Sequence, residues 1–160
     1  SNYPEFNSPK EVGDGFVDAG FNLVSLATNH TMDWYNSKGD ALVVSSRDYW
    51  LDQYEKNGVI SAGSYKSQED KDNIVTGEVN NISYALLSYT FGTNGIYPSS
   101  SQSYLVNYID KEQIKNDVEK YRDKVDVLMV AMHWGEEYLY SPTSYQQDLA
   151  LYLADGLMIH

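Results

Sequence analysis

The sequence predicts an α/β layered domain, and three observations lead there. Helical patterns alternate with short apolar runs along the 160 residues. Those runs are bounded by turn residues and read as buried strands of a parallel sheet. Each of the three histidines closes such a run: His30 after residues 21–29, His133 after 125–132, His160 after 156–159. In open α/β sheets, ligands gather beyond the carboxyl ends of the strands. Three imidazoles delivered there point to one shared site.

Ser8-Pro9-Lys10-Glu11 starts the first helix, with Ser8 as cap, Pro9 at the first helical position and Glu11 completing a capping box. Val12, Phe16 and Ala19 mark its face and Gly20 ends it. Residues 21–27 follow as a strand and 34–39 as a loop. Residues 40–57 read as a helix stopped by Gly58, and 59–62 as a short strand. A polar loop spans 64–72. Residues 74–79 and 82–89 flank Asn80-Asn81, a two-residue hairpin turn. Residues 91–103, rich in Gly, Ser, Asn and Pro, form a loop, and 104–109 a further strand. Asp110 caps a helix running to about Lys124, with Gln113 at the capping-box position. A strand at 125–131, a helix from Pro142 to near Ala154 and the start of a strand at 156–159 complete the order. There is no internal repeat, low-complexity tract or interdomain linker.

A length of 160 residues suits one domain with a sizeable core. The expectation is a single domain over 1–160, cut at both ends, because Ser1-Asn2-Tyr3-Pro4 opens as a loop and the chain stops directly after an apolar run. The net charge of −12 argues against nucleic acid and against attraction to an anionic membrane. An acidic substrate stays open, since a metal ion reverses the local sign. With no cysteine, disulfides, thiolate zinc and cysteine nucleophiles are excluded within the chain. No stretch is long enough to span a membrane. The fifteen tyrosines fit strand faces and loop packing, or a surface for sugars or peptides.

Two clusters carry chemistry. In Thr28-Asn29-His30-Thr31-Met32-Asp33, Asn29 offers a carbonyl oxygen to a metal or phosphate. His30 serves as ligand or proton donor, and Asp33 is placed to orient that imidazole. Taken alone, an Asn-His pair after a strand is structural more often than not, Asn29 making a turn and His30 bonding the backbone. In His133-Trp134-Gly135-Glu136-Glu137-Tyr138, a histidine leaving a buried strand is followed by a glycine that admits close backbone approach and by two carboxylates. A core Trp134 and solvated glutamates are the plainer account. His160 is the third candidate. No Ser lies in a Gly-flanked strand-to-helix elbow, so a Ser/His/Asp nucleophile lacks support. Gly92-Thr93-Asn94-Gly95 lacks the Gly-Lys-Ser/Thr ending of a P-loop and reads as an ordinary turn that could overhang a site.

Several segments together resemble the bacterial capsule-synthesis proteins of the CapA type, the poly-γ-glutamate family. Residues 19–33 are similar to its "aGf..vslAtNH..D" segment, 62–65 to "aGsy", 88–95 to "SYT.GTNG", 104–107 to "YLVN", and 130–138 to "V.mHWG.EY", with Pro142, Gln146 and Ala150 at the expected spacing. Five segments in the right order are specific. The resemblance implies a layered α/β sandwich similar to calcineurin-like metallophosphatases, of which this chain is an incomplete portion. The family's Gly-Asp motif would precede Ser1, and its closing "GxHPH" motif would follow the last strand. His160 stands nearer that motif's Gly than its His, and Gly39 sits late for the family's "DyG" pattern.

By resemblance, Asn29, His30, His133 and His160 are expected metal ligands, with His30 and Asp33 catalytic. The implied cofactor is a divalent ion: manganese, iron, zinc or magnesium. The implied activity is metal-dependent phosphoester hydrolysis or transfer in capsule biosynthesis, on an anionic polymer or a phosphorylated substrate. The alternative is a non-catalytic polymer-binding or export component of a membrane-bound synthase. The expected location is extracytoplasmic, with membrane anchoring through a segment outside this chain.

Overall fold

Two sheets form the β structure of residues 5–157, which the computed structural model describes. β1 (Leu23–Ser25) runs parallel to β2 (Ile60–Ala62), with Ser25 opposite Ala62. β3 (Thr76–Val79) is antiparallel to β4 (Ile82–Thr90), and β4 is parallel to β5 (Val127–His133), with Thr90 opposite His133. The sheets meet where Ile60 and Ala62 pack on Leu86. There the Ser25 and Ser88 hydroxyls lie 2.7 Å apart.

Strand periodicity sorts the core. Leu86 faces β2, while Leu87 and Tyr89 face Ile114 and Val118 of α5 (Lys111–Tyr121) and Leu149 of α6 (Ser144–Leu151). A separate cluster joins Ala27 and Met32 to Val43 of α3 (Ala41–Asn57) and to Leu105 and Val106. The remaining helices are α1 (Lys10–Asp18), α2 (Tyr35–Lys38) and α4 (Gln68–Asp72). A π-helical turn, Tyr152–Gly156, follows α6. Among the described residues no helix is long and apolar enough to cross a membrane.

The class is α/β, as the alternation predicts, and several particulars differ. The strands form two sheets, one of mixed direction, rather than one parallel sheet. Residues 104–109 are not a strand. Ser100–Leu105 makes a 3-10 helix instead, and only Tyr108 bridges to Thr90. Pro9, not Ser8, is the cap of α1, and no side chain accepts a hydrogen bond there. Ser67, whose hydroxyl accepts from the Asp70 N–H, nucleates α4 inside the stretch expected to be loop. α2 likewise occupies expected loop, entered through Trp34 at φ 68°. The strand expected at 156–159 has Gly156 in the π-helical turn and Leu157 as its cap, buried in the core, while residues 158–160, His160 among them, lie outside the described residues.

The hairpin forms at Asn80-Asn81, both at positive φ (53° and 62°), the conformation a two-residue turn requires. Asp110 Oδ1 accepts from the Gln113 N–H at 2.8 Å. The Gln113 amide turns away from the cap to Asn107 Oδ1 at 3.1 Å, so only half of that box closes. The full box occurs at Thr143–Gln146, at the start of α6.

Candidate functional site

The register of the parallel pairs brings the carboxyl ends of β1, β2, β4 and β5 together, and the loops leaving them are tied to one another. The Leu26 N–H donates to the Ala62 carbonyl, and the Asn107 N–H to that of Gly63. The Thr90 N–H donates to the Asn107 carbonyl, and the Phe91 N–H to that of His133. Gly63 permits this closeness. At φ 98°, an added Cβ would stand 2.6 Å from Ala27 Cβ and 2.8 Å from Ser88 Oγ.

Two threonines fold the loop after β1. Thr31 Oγ1 donates to the Leu26 carbonyl at 2.6 Å and accepts from the Thr28 N–H at 2.8 Å. Thr28 Oγ1 accepts from the His30 N–H at 3.2 Å. With the backbone so held, Asn29 and His30 project in defined directions. Asn29 Oδ1 lies 3.1 Å from His133 Nε2, across 104 positions of sequence. Its Nδ2 donates to Asn94 Oδ1 at 3.3 Å. His133 is the last residue of β5, which runs two positions past the strand end expected at residue 131.

Asp33 is buried, its side chain only 4% exposed, beside an imidazole that is 33% exposed. His30 Nδ1 meets Asp33 Oδ2 at 2.8 Å, and the Phe6 N–H donates to the same oxygen at 2.7 Å. The Phe6 ring stands edge-on to the imidazole, centroids 4.7 Å apart. With Nδ1 engaged by the carboxylate, Nε2 is the nitrogen free to act. A cleft of about 500 Å³ opens beside this pair, between α1 and α3, walled by Phe16, Leu42 and Trp50.

The structure thus joins Asn29 to His133 and His30 to Asp33 on one loop system, while His160 lies outside the described residues. Glu136 and Glu137 are exposed and make no group of metal-binding residues; no cluster of three or more His, Asp or Glu suited to an ion occurs among the described residues. Asn29 Oδ1 and His133 Nε2 nonetheless fit as two donors to one ion. Ligands about 2.1 Å from a common first-row ion stand about 3 Å apart, and these two are 3.1 Å apart. Sequence reasoning undervalued Asn94, whose Asn-Gly step at positive φ (52° and 80°) turns the loop back toward Asn29. It missed Phe6 altogether, since no pattern marks a backbone N–H that reaches a carboxylate 27 positions away.

Comparison with known proteins gives a concordant result. Residues 1–159 match the family described as "Bacterial capsule synthesis protein PGA_cap". The chain is 28% identical over 154 residues to the "Capsule biosynthesis protein CapA" of Bacillus anthracis, which covers 94% of this chain and 36% of that protein. It is 25% identical over 139 residues to the "PGA biosynthesis protein CapA" of Bacillus subtilis (strain 168), covering 87% of this chain and 35% of that protein. It therefore spans about a third of the length of the curated relatives it matches. With the family matched over nearly every residue, the chain belongs to the bacterial capsule synthesis proteins of the PGA_cap family.

Proposed function

We propose that the chain serves capsule polymer biosynthesis, of poly-γ-glutamate or a related polymer, through a metal-assisted site that cleaves or transfers a phosphoester or acyl phosphate. The reading rests most on one observation: a carbonyl oxygen from the β1 loop and an imidazole nitrogen from the end of β5 stand at ligand spacing. The printed names of the two relatives support the capsule context.

Asn29 and His133 hold a divalent ion, manganese, iron, zinc or magnesium, together with ligands from outside residues 5–157. When bound, that ion polarises the phosphoryl oxygen and lowers the pKa of a water. His30, oriented through Nδ1 by Asp33, donates a proton from Nε2 to the leaving oxygen. Asp33 in turn is held by the Phe6 N–H. No Lys or Arg lies in residues 26–34 or 91–110, so anion binding at this site draws on the imidazoles and the ion, with Lys10 lining the cleft beside His30. The protein works outside the membrane, anchored through a segment beyond this chain and associated with membrane-bound synthase components.

Hydrolysis of para-nitrophenyl phosphate with added Mn²⁺ tests the reading. His30→Ala should lower kcat by about a hundredfold, and His133→Ala should abolish Mn²⁺ uptake. Equal turnover in the parent and both variants rejects it. The second reading, a non-catalytic polymer-binding or export component, is favoured by the donor pair standing without a third acidic or histidine ligand among the described residues. It predicts Mn²⁺ uptake without turnover.

A further inference from the structure

The loops leaving β1, β4 and β5, residues 26–34, 91–110 and 134–143, contain no Lys or Arg, whereas Asp33, Asp110, Glu136 and Glu137 place carboxylates there. They present aromatic surface instead. Phe91 is 65% exposed and Tyr97 60%, and Tyr138 and Tyr140 are almost wholly open to solvent. Two of these rings, Phe91 and Tyr97, are tied to the loops that carry the Asn29–His133 pair. Phe91 is fixed by its N–H on the His133 carbonyl at 2.8 Å, and its ring meets Tyr145 with centroids 6.1 Å apart. Tyr97 leans on Tyr108 at 5.5 Å. The Tyr108 hydroxyl lies 2.7 Å from Thr93 Oγ1, next to the Asn94 that bonds Asn29. Exposed apolar surface gathered at one place marks a contact site.

We propose that this aromatic rim binds the rings of an uncharged carbohydrate. A pyranose has a C–H face that lies against aromatic rings and an edge of hydroxyls that pairs with neutral donors and acceptors. Tyrosine hydroxyls, Asn94 and the serines at 99–101 supply those partners beside the rings. A polyanion finds no permanent cation in these loops and four carboxylates that repel it. The rim adjoins the metal-assisted site without depending on it, since stacking needs neither ion nor phosphoryl group.

Saturation-transfer NMR on the metal-free chain tests this with tetrasaccharides of glucose, galactose and N-acetylglucosamine, alongside poly-γ-glutamate and tetralysine as the charged alternatives. At least one tetrasaccharide should receive transfer at its ring C–H protons. Its affinity should fall roughly five- to tenfold in Phe91→Ala and in Tyr97→Ala, both substitutions at exposed rings that leave the thermal midpoint unchanged. It should stay within about twofold in His133→Ala, which separates this proposal from the preceding one. Absence of transfer to all three saccharides overturns the proposal. So does saccharide binding that ignores both rim substitutions, or binding of poly-γ-glutamate or tetralysine that the rim substitutions abolish.

Discussion

His133 and Asn29 meet because each is held by backbone, not by length of side chain. Asn29 sits in a loop stitched by two threonine hydroxyls, and His133 ends a strand in register with Thr90. The same economy appears at Arg47, which is fully buried. Its guanidinium grips Asp70 twice, at 2.9 and 2.8 Å, donates to the Ser61 carbonyl at 2.9 Å, and lies over the Tyr65 ring. Arg47→Ala strands the Asp70 carboxylate, so urea unfolding should show a loss of about 3–5 kcal/mol. A loss under about 1 kcal/mol would mean that Asp70 finds water instead. At Gly63, alanine meets both the positive φ and the Ala27 contact. Gly63→Ala should cost on the order of 1–3 kcal/mol in the same measurement and displace the loop that carries Asn29.

Elements divide into those with local signals and those without. The hairpin was legible from Asn80-Asn81 because only a residue tolerant of positive φ closes so short a turn. Asn81→Ala should therefore destabilise by roughly 1 kcal/mol, and Asn81→Gly should not; equal effects from both would show that side-chain contacts matter more than φ. α5 was legible from Asp110, and β5 from its apolar run. Residues 104–109 misled because Tyr, Leu, Val and Ile suit a strand by propensity. Leu105 and Val106 instead fill the cluster around Met32 and Val43, and backbone pairing survives only where Tyr108 bridges to Thr90. α4 escaped because five polar residues carry no apolar period, although Ser67 followed by Glu69 and Asp70 was a start signal in plain view.

On the scale of the whole molecule, buried phenols couple folding to alkaline pH. Burial pushes Tyr65 from 10.0 up to about 12, and burial together with the Asp117 carboxylate also raises Tyr89, whose hydroxyl donates to Asp117 at 2.7 Å. A phenol whose pKa is raised by folding stabilises fully below the unfolded value, and that stability is lost as pH climbs. Urea midpoints should therefore hold to about pH 10 and fall toward pH 12, with a shallower fall in Tyr65→Phe. A flat profile across that window would show that these phenols ionise as they do in the unfolded chain. The α/β class and both histidine clusters were legible in the sequence because apolar runs and their end residues are local features. The partition into two sheets was not, since which strands pair depends on contacts between distant segments. The central claim is that the β1 loop and the end of β5 form one ion-binding centre. Substoichiometric Mn²⁺ titrated into ¹⁵N-labelled protein measures it through paramagnetic broadening. The account predicts that the Asn29 side-chain amide and the His133 ring signals broaden first and together, and that His133→Ala spares Asn29. Broadening of one without the other, or of surface carboxylates before either, would contradict it.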